Sequence, residues 1–232
     1  MTNKYHMVFD EIQQQLQIGG YINFQSNILG LDSYEHCLSK KIYQNFTHKV
    51  DYQFNQLGYR DRNVNEYQTN AVIVIGDSFT VGLGLPVQLT YPAQLEPLIK
   101  HQVLNFGLNG ASNDWMARKL AVILKYFTPR AVIIHYTFSH RREKNEPNWF
   151  DNERTLCDPL PNHDENYLNW LQAHARIQTA LGNIPAIYSH IPGWHPGNNS
   201  VKQVDLARDG FHYGVVTCAN LAEEYADYIN QL

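Results

Sequence analysis

From residue 71 onward, short apolar runs alternate with longer segments in which apolar residues recur at helical spacing. This alternation is typical of α/β domains, in which helices connect parallel strands and cover the sheet. A nearly continuous apolar run such as AVIIHYT fits a strand that is buried on both faces. The runs predict strands over 71–75, 102–106, 131–137 and 184–190.

Three segments have the periodicity of helices. The first is expected to begin after Ser112, a suitable N-cap residue, and to end before the Thr-Pro-Arg sequence at 128–130. The second covers roughly 165–181 and the third roughly 214–230. Cys218 belongs to the apolar stripe of the third helix, so we expect it to be a core residue.

The beginning of the chain has a different character. Residues 1–65 are polar, rich in Gln and Tyr, and poorly periodic, which predicts an extension that wraps a main domain at 66–232. A length of 232 residues is enough for one domain with a sizeable core. Segment 144–164 contains three prolines and is expected to be a long loop, a type of element that often covers or lines binding sites.

Composition excludes several classes of partner. The formal net charge of -4 gives no long-range attraction to nucleic acid or to an anionic membrane surface. The three cysteines are widely spaced, and His190 and His195 have no acidic residue or cysteine at ligand spacing, so no disulfide framework, metal or cofactor is predicted. No run of eighteen apolar residues and no recognisable signal peptide is present, so we expect a soluble cytoplasmic protein.

The first predicted strand runs directly into Gly76, Asp77 and Ser78. The carboxyl edge of a parallel sheet is where α/β proteins bind ligands, so Ser78 stands where a nucleophile could act. The alternative is that Asp77 or Ser78 caps the next helix. The segment is not a phosphate-binding P-loop, because no Gly-Lys-Ser/Thr follows, and Thr80 replaces the second glycine of the G-x-S-x-G motif.

A serine hydroxyl needs a positioned base to become a nucleophile. Asp209 precedes His212 by three residues, just before the last predicted helix. At this spacing the carboxylate can hold one imidazole nitrogen while the other faces Ser78, as in a catalytic triad. The backbone N–H groups of Ser78 and Gly110 are candidate donors to an oxyanion.

These motifs resemble blocks of the SGNH, or GDSL, hydrolase family. IGDSFTVG resembles its first block, NFGLNGAS its second and DGFH its fifth, and FNQLGYRD resembles the segment before the first block. The resemblance covers about 50–230 and implies a three-layer α/β/α flavodoxin-like sandwich with a central, mostly parallel sheet. It implies ester or thioester hydrolysis, often sugar deacetylation. Ser78 would be the nucleophile, Gly110 an oxyanion donor, and Asp209 and His212 the acid and base.

The third block departs from the family pattern. Members usually have Gly-x-Asn-Asp after the third strand, with the asparagine as an oxyanion donor, whereas this strand continues into HYTFSHRRE without asparagine. Ser139 or Asn113 could supply the missing donor. Asp77 and Arg141 are further candidates for contacts with substrate, and Trp194 could stack on a sugar ring or line an acyl pocket.

The sequence therefore predicts a serine esterase or deacetylase that acts on a small-molecule or glycan ester. Two alternatives remain open at this point. An acyltransferase would use the same residues with a sugar hydroxyl in place of water, and a non-catalytic glycan-binding module would keep the fold with a degenerate third block. The acyl group, the alcohol and the oligomeric state are not determined by the sequence.

Overall fold

The computed structural model describes residues 21–33, 45–63, 70–143, 163–192 and 200–232. The strands are β1 (Gln25–Ser26), β2 (Tyr52–Gln53), β3 (Val72–Gly76), β4 (Val103–Gly107), β5 (Ala131–Tyr136) and β6 (Ala186–His190). The helices are α1 (Ser78–Val81), α2 (Tyr91–Ile99), α3 (Asn113–Tyr126), α4 (His163–Leu181) and α5 (Val215–Ile229), with a 3-10 turn at Val87–Leu89.

Strands β3 to β6 form a parallel four-stranded sheet in the order β4-β3-β5-β6. Alternate side chains of a strand point to opposite faces, and the sheet accordingly has a core on each side. Ile73 and Ile75 join the core that contains residues of α3 and α4. Val72 and Val74 join the core that contains residues of α2 and α5. The predicted α/β class with three layers is confirmed.

The four predicted strands are present with boundaries shifted by at most two residues. The three predicted helices are present too, and Ser112 caps α3 by accepting a hydrogen bond from the Trp115 N–H at 3.1 Å. Helix α2 was not predicted. It contains Pro92 in its first turn, where proline is tolerated, and Pro97 in its interior, where proline normally breaks a helix.

The described part of the first 65 residues packs on the main sheet domain. β1 and β2 pair antiparallel, and Tyr52 and Phe54 share a buried apolar cluster with Val81 and Leu83, which lie at the end of α1 and just after it. The predicted boundary near residue 65 falls outside the described residues, as does most of the predicted loop at 144–164.

Cys218 is fully buried in α5, as expected for a core residue. Burial raises the pKa of its thiol to about 12, so the thiol stays protonated at neutral pH. Within the described ranges, no helix combines the length and the apolar character needed to span a bilayer.

Candidate active site

The turn from β3 into α1 presents Ser78. Asp77 caps α1, because its Oδ1 accepts a hydrogen bond from the Phe79 N–H at 3.0 Å. Gly76 allows the turn to be tight, since a Cβ there would lie 2.0 Å from Thr80 Oγ1. The capping role and the nucleophile position are thus compatible, because Asp77 is the cap and Ser78 is the first residue of the helix.

The structure brings Ser78, His212 and Asp209 together. Ser78 Oγ lies 2.8 Å from His212 Nε2. His212 Nδ1 lies 2.5 Å from Asp209 Oδ2. The three side chains are almost completely buried, with exposed fractions of 4%, 1% and 0%. This is the chain of contacts by which a carboxylate orients an imidazole and the imidazole accepts a serine proton.

The loop before α5 fixes Asp209 and His212 relative to each other. The second carboxylate oxygen, Asp209 Oδ1, accepts the backbone N–H groups of Phe211 at 2.9 Å and His212 at 3.0 Å. Burial alone would raise the pKa of Asp209, but the hydrogen bond and charge interaction with His212 and these two N–H groups lower it below its usual value. Asp209 therefore stays ionised, as an orienting carboxylate must.

The oxyanion candidates lie at adjacent strand ends. Gly76 of β3 pairs with Gly107 of β4, and the Leu108 N–H donates to the Gly76 carbonyl at 3.0 Å. Gly110 has φ +83°, and a Cβ there would meet no atom within 4 Å. Among the described residues, neither the Ser78 N–H nor the Gly110 N–H has an acceptor. Both donors are therefore available to a ligand.

The two candidates for the missing donor of the third block have different surroundings. The Asn113 amide is engaged with Thr137: its Nδ2 donates to the Thr137 carbonyl at 3.3 Å, and its Oδ1 accepts the Thr137 N–H at 3.1 Å. Asn113 therefore ties the start of α3 to the end of β5. Ser139 is 3% exposed, and its hydroxyl has no hydrogen-bond partner within the described ranges.

Asp77 and Arg141, the candidates for contacts with substrate, bond to each other in the structure. Asp77 is fully buried, and its Oδ2 accepts hydrogen bonds from Thr137 Oγ1 at 2.5 Å and Arg141 Nη1 at 2.7 Å. A buried carboxylate requires such partners, and Arg141 supplies the compensating charge. The two residues bind each other in a structural pair. Trp194 lies outside the described residues.

Sequence reasoning missed a contact between the N-terminal segment and the loop that carries Asp209 and His212. Asp32 forms a two-point ion pair with Arg208, the residue that precedes Asp209. These partners are 176 positions apart, and neither lies in a motif with a local signal. Their pairing could be found only from the fold.

No cluster of three or more potential metal ligands occurs in the part of the chain that the structure describes. Of the two histidines considered as metal ligands, His190 and His195, the second lies outside the described residues. A cleft of about 420 Å³ lies elsewhere, beside the edge strand β4, and its lining includes Arg60, Asp61 and Asn105 but none of the triad residues. We do not place the chemistry in this cleft, because a cleft without a nucleophile and base pair cannot carry out acyl transfer.

No protein-family model matches the sequence, and no curated protein matches it. Similar solved structures include an acetyl xylan esterase from the rumen bacterium Butyrivibrio proteoclasticus, with 14% identity, a TM-score of 0.48, and coverage of 73% of this chain and 66% of that chain. A family two carbohydrate esterase from Clostridium thermocellum, in complex with cellohexaose, has 11% identity, a TM-score of 0.49, and coverage of 74% and 66%.

An SGNH-hydrolase family esterase is a third similar structure, with 18% identity, a TM-score of 0.37, and coverage of 70% of this chain and 75% of that chain. All three are named as esterases, and the third carries the name of the family that the motifs resemble. The chain spans only 66% of the length of the first two. At these identities and TM-scores, the likeness does not extend to the reaction or the substrate.

Proposed function

We propose that this chain is a serine hydrolase of the SGNH type that cleaves a small acyl ester, such as an acetyl ester, through a Ser-His-Asp mechanism. The observation that carries the proposal is the 2.8 Å contact between Ser78 Oγ and His212 Nε2. Asp209, bonded to the other imidazole nitrogen, supports the same role for His212. A small-molecule or glycan alcohol is the proposed leaving group.

In the first half of the reaction, Ser78 Oγ attacks the ester carbonyl carbon while its proton passes to His212 Nε2. Negative charge then develops on the carbonyl oxygen. The N–H groups of Ser78 and Gly110 have no acceptor among the described residues and are the proposed donors to it. The carbon–oxygen bond to the alcohol breaks, and His212 returns its proton to the leaving oxygen. The acyl group remains on Ser78.

In the second half, a water molecule attacks the acyl-enzyme carbonyl and gives a proton to His212 Nε2. The second tetrahedral intermediate collapses, the bond to Ser78 Oγ breaks, and His212 returns the proton to that oxygen. The carboxylic acid leaves, and the enzyme regains its starting state. Throughout, Asp209 remains ionised and stabilises the protonated imidazole, consistent with the lowered pKa of its carboxyl group.

The test uses p-nitrophenyl acetate hydrolysis and covalent labelling by a serine-directed phosphonate, with the labelled residue located by mass spectrometry. We expect hydrolysis and a single label on Ser78, and loss of both in Ser78→Ala and His212→Ala. Ser200→Ala and His48→Ala are matched controls, because both residues are exposed and neither belongs to the candidate site. Each control should retain wild-type rates.

Two outcomes would contradict the proposal. Wild-type protein that neither hydrolyses the ester nor takes the label would favour a non-catalytic glycan-binding module. Acyl transfer to an added sugar hydroxyl in preference to water, detected as acylated sugar rather than free acetate, would favour an acyltransferase.

A further inference from the structure

A buried ion pair connects the N-terminal segment to the loop that carries the acid and the base. Arg208 Nε donates to Asp32 Oδ1 at 2.7 Å, and Arg208 Nη2 donates to Asp32 Oδ2 at 2.8 Å. The Asp32 side chain is completely buried, and that of Arg208 is 12% exposed. Arg208 Nη2 also donates to the Asn27 carbonyl at 2.6 Å. The turn 27–32 is thereby joined to the residue next to Asp209.

The same turn contacts the loop that carries Gly110. Reciprocal backbone hydrogen bonds between Leu29 and Asp32, at 3.1 and 3.0 Å, close the turn. At its tip, Gly30 has φ +58°, and a Cβ there would lie 3.0 Å from Asn109 Nδ2. Asn109 directly precedes Gly110. The turn 27–32 therefore touches both the acid-base loop and the oxyanion loop.

A second connection closes a ring of contacts around Asp32. The Tyr52 hydroxyl donates to Asp32 Oδ2 at 2.5 Å and accepts the Gly84 N–H at 2.8 Å. The Gly84 carbonyl in turn accepts the Arg208 N–H at 3.2 Å. A Cβ at Gly84 would lie 2.7 Å from Ala207 Cβ, so the acid-base loop packs directly on this glycine.

A buried ion pair contributes little to net stability, because removing two charges from water costs about as much as their attraction returns. A two-point guanidinium–carboxylate contact does fix the relative position and orientation of the segments that carry it. Here those segments are the N-terminal turn and the loop that positions His212. The ion pair therefore fixes the position of the loop relative to the turn 27–32 and adds little to the stability of the fold.

We propose that Asp32 and Arg208 are positioning residues for catalysis: the N-terminal turn 27–32 holds the acid-base loop so that His212 Nε2 meets Ser78 Oγ. This inference rests on the proposed function. Neither residue reaches the reacting atoms itself, and both act through the backbone that leads to Asp209 and His212. The segment ahead of the sheet is thus part of the catalytic apparatus.

The first test is kinetic. Asp32→Asn keeps the size of the side chain and removes its charge, and we expect kcat to fall between about 10- and 100-fold with little change in KM. The fall should be larger for ethyl acetate than for p-nitrophenyl acetate, because only the poor leaving group depends on protonation by a well-placed His212. The matched control is Arg62→Met, which breaks the Arg62–Glu96 ion pair and should leave both rates unchanged.

A second variant separates position from stability. Asp32→Asn combined with Arg208→Met removes both charges and keeps an oxygen that can accept the Tyr52 hydroxyl, so that no buried charge is left uncompensated. If the pair positions His212, this double variant folds with a melting temperature near that of wild type and still shows the reduced kcat. Wild-type kcat in the double variant would overturn the proposal.

A third measurement does not depend on turnover. The His212 Nδ1–H proton that is bonded to Asp209 is expected to give a far-downfield proton NMR signal, which should shift or disappear in Asp32→Asn and persist in Arg62→Met. An unchanged signal with unchanged rates, and only a lower melting temperature, would show a purely stabilising role. If wild-type protein hydrolyses no ester, the proposed function fails, and this signal still decides whether Asp32 positions His212.

Discussion

The Arg141 guanidinium lies 2.7 Å from the fully buried Asp77 carboxylate, at the residue that precedes Ser78. The segment after β5, which lacks the asparagine of the third block that the motifs resemble, thus supplies a cation. That cation neutralises Asp77, the cap of α1. Arg141 also donates to Thr137 Oγ1 at 2.7 Å, so the end of β5 and the start of α1 share one polar network.

Removing the cation should therefore destabilise the fold. Arg141→Met leaves Asp77 as an uncompensated buried charge, and the free energy of unfolding should fall by about 3 to 5 kcal/mol. Adding Asp77→Asn removes the unpaired charge and should restore much of that loss. Urea denaturation of Arg141→Met, Asp77→Asn and the double variant measures the difference. If the two substitutions are simply additive, the pairing does not account for the burial of Asp77.

The orientation of the imidazole should depend on Asp209. In Asp209→Asn, the amide oxygen can keep the two backbone N–H groups, which leaves the amide N–H₂ facing His212 Nδ1. Because this donor needs an acceptor, Nδ1 loses its proton and the ring carries its proton on Nε2. A protonated Nε2 cannot accept the Ser78 proton. We expect kcat to fall by about 10³- to 10⁴-fold with the fold intact.

The control for this prediction is Asp205→Asn. Asp205 also accepts backbone N–H groups, from Val216 and Thr217 at the start of α5, but it does not contact His212. Its replacement should leave the ester hydrolysis rate near that of wild type. A comparable loss of kcat in both variants would mean that the loop, and not the tautomer, is disturbed.

Two variants distinguish Ser139 from Asn113 as the candidate for a further oxyanion donor. Ser139→Ala removes a buried hydroxyl that has no partner within the described ranges, so stability should change little. If this hydroxyl serves the oxyanion, kcat falls by about 10²- to 10³-fold. Asn113→Ala instead removes both contacts with Thr137 and should lower the melting temperature. Thermal melts and p-nitrophenyl acetate kinetics on both variants decide between the donors.

Those parts of the site that depend on local patterns could be predicted from the sequence. A buried strand that ends in a small residue, a carboxylate and a hydroxyl places Ser78 at the sheet edge. The three-residue spacing of Asp209 and His212 is itself a local turn, closed by backbone bonds to the carboxylate. The apolar runs predict the parallel strands because β3, β4 and β5 are buried along their whole length.

Contacts between distant segments could not be predicted in this way. Asp77 and Arg141 are 64 positions apart, so their pairing depends on where β3 and β5 lie in the sheet. Helix α2 was missed because Pro97 in its interior outweighs its weak periodicity, whereas packing against α5 stabilises the helix in the fold. Tertiary burial, rather than local preference, decides both features.

Asp61 should make the protein less stable as the pH rises. Its carboxyl group is largely buried beside β4 and accepts the Arg62 and Asn105 N–H groups, and burial raises its pKa from 3.8 to about 6. The folded state therefore holds this proton more strongly than the unfolded state. The associated stability is present below pH 4 and is lost as the pH passes 6, by about 3 kcal/mol in total.

Asp61→Asn tests this assignment, because it cannot titrate. The stability of wild type minus that of the variant, from urea denaturation between pH 4 and pH 7, should decrease with rising pH. A difference that does not change over this range would mean that Asp61 has an ordinary pKa in the folded state.

His135 should contribute a pH dependence of the opposite sign. Its ring is fully buried, with Nδ1 2.7 Å from Ser189 Oγ and Nε2 3.0 Å from the Tyr213 hydroxyl. Burial lowers the pKa of His135 from 6.5 to about 4, although the negative charge of Asp77 acts in the other direction. Between these pH values, the unfolded state binds a proton that the folded state does not, so acidification favours unfolding.

The contribution of His135 to the free energy of unfolding is therefore complete above pH 6.5. It declines by about 3 kcal/mol as the pH falls towards 4. Asp61 offsets this loss in wild-type protein, so urea denaturation is compared between wild type and His135→Gln. The glutamine cannot titrate and retains a polar group for Ser189 or Tyr213. The stability advantage of wild type should shrink from pH 7 to pH 4. An advantage that stays constant would show that His135 is protonated normally in the folded protein, and that its two hydroxyl partners accommodate the charged ring.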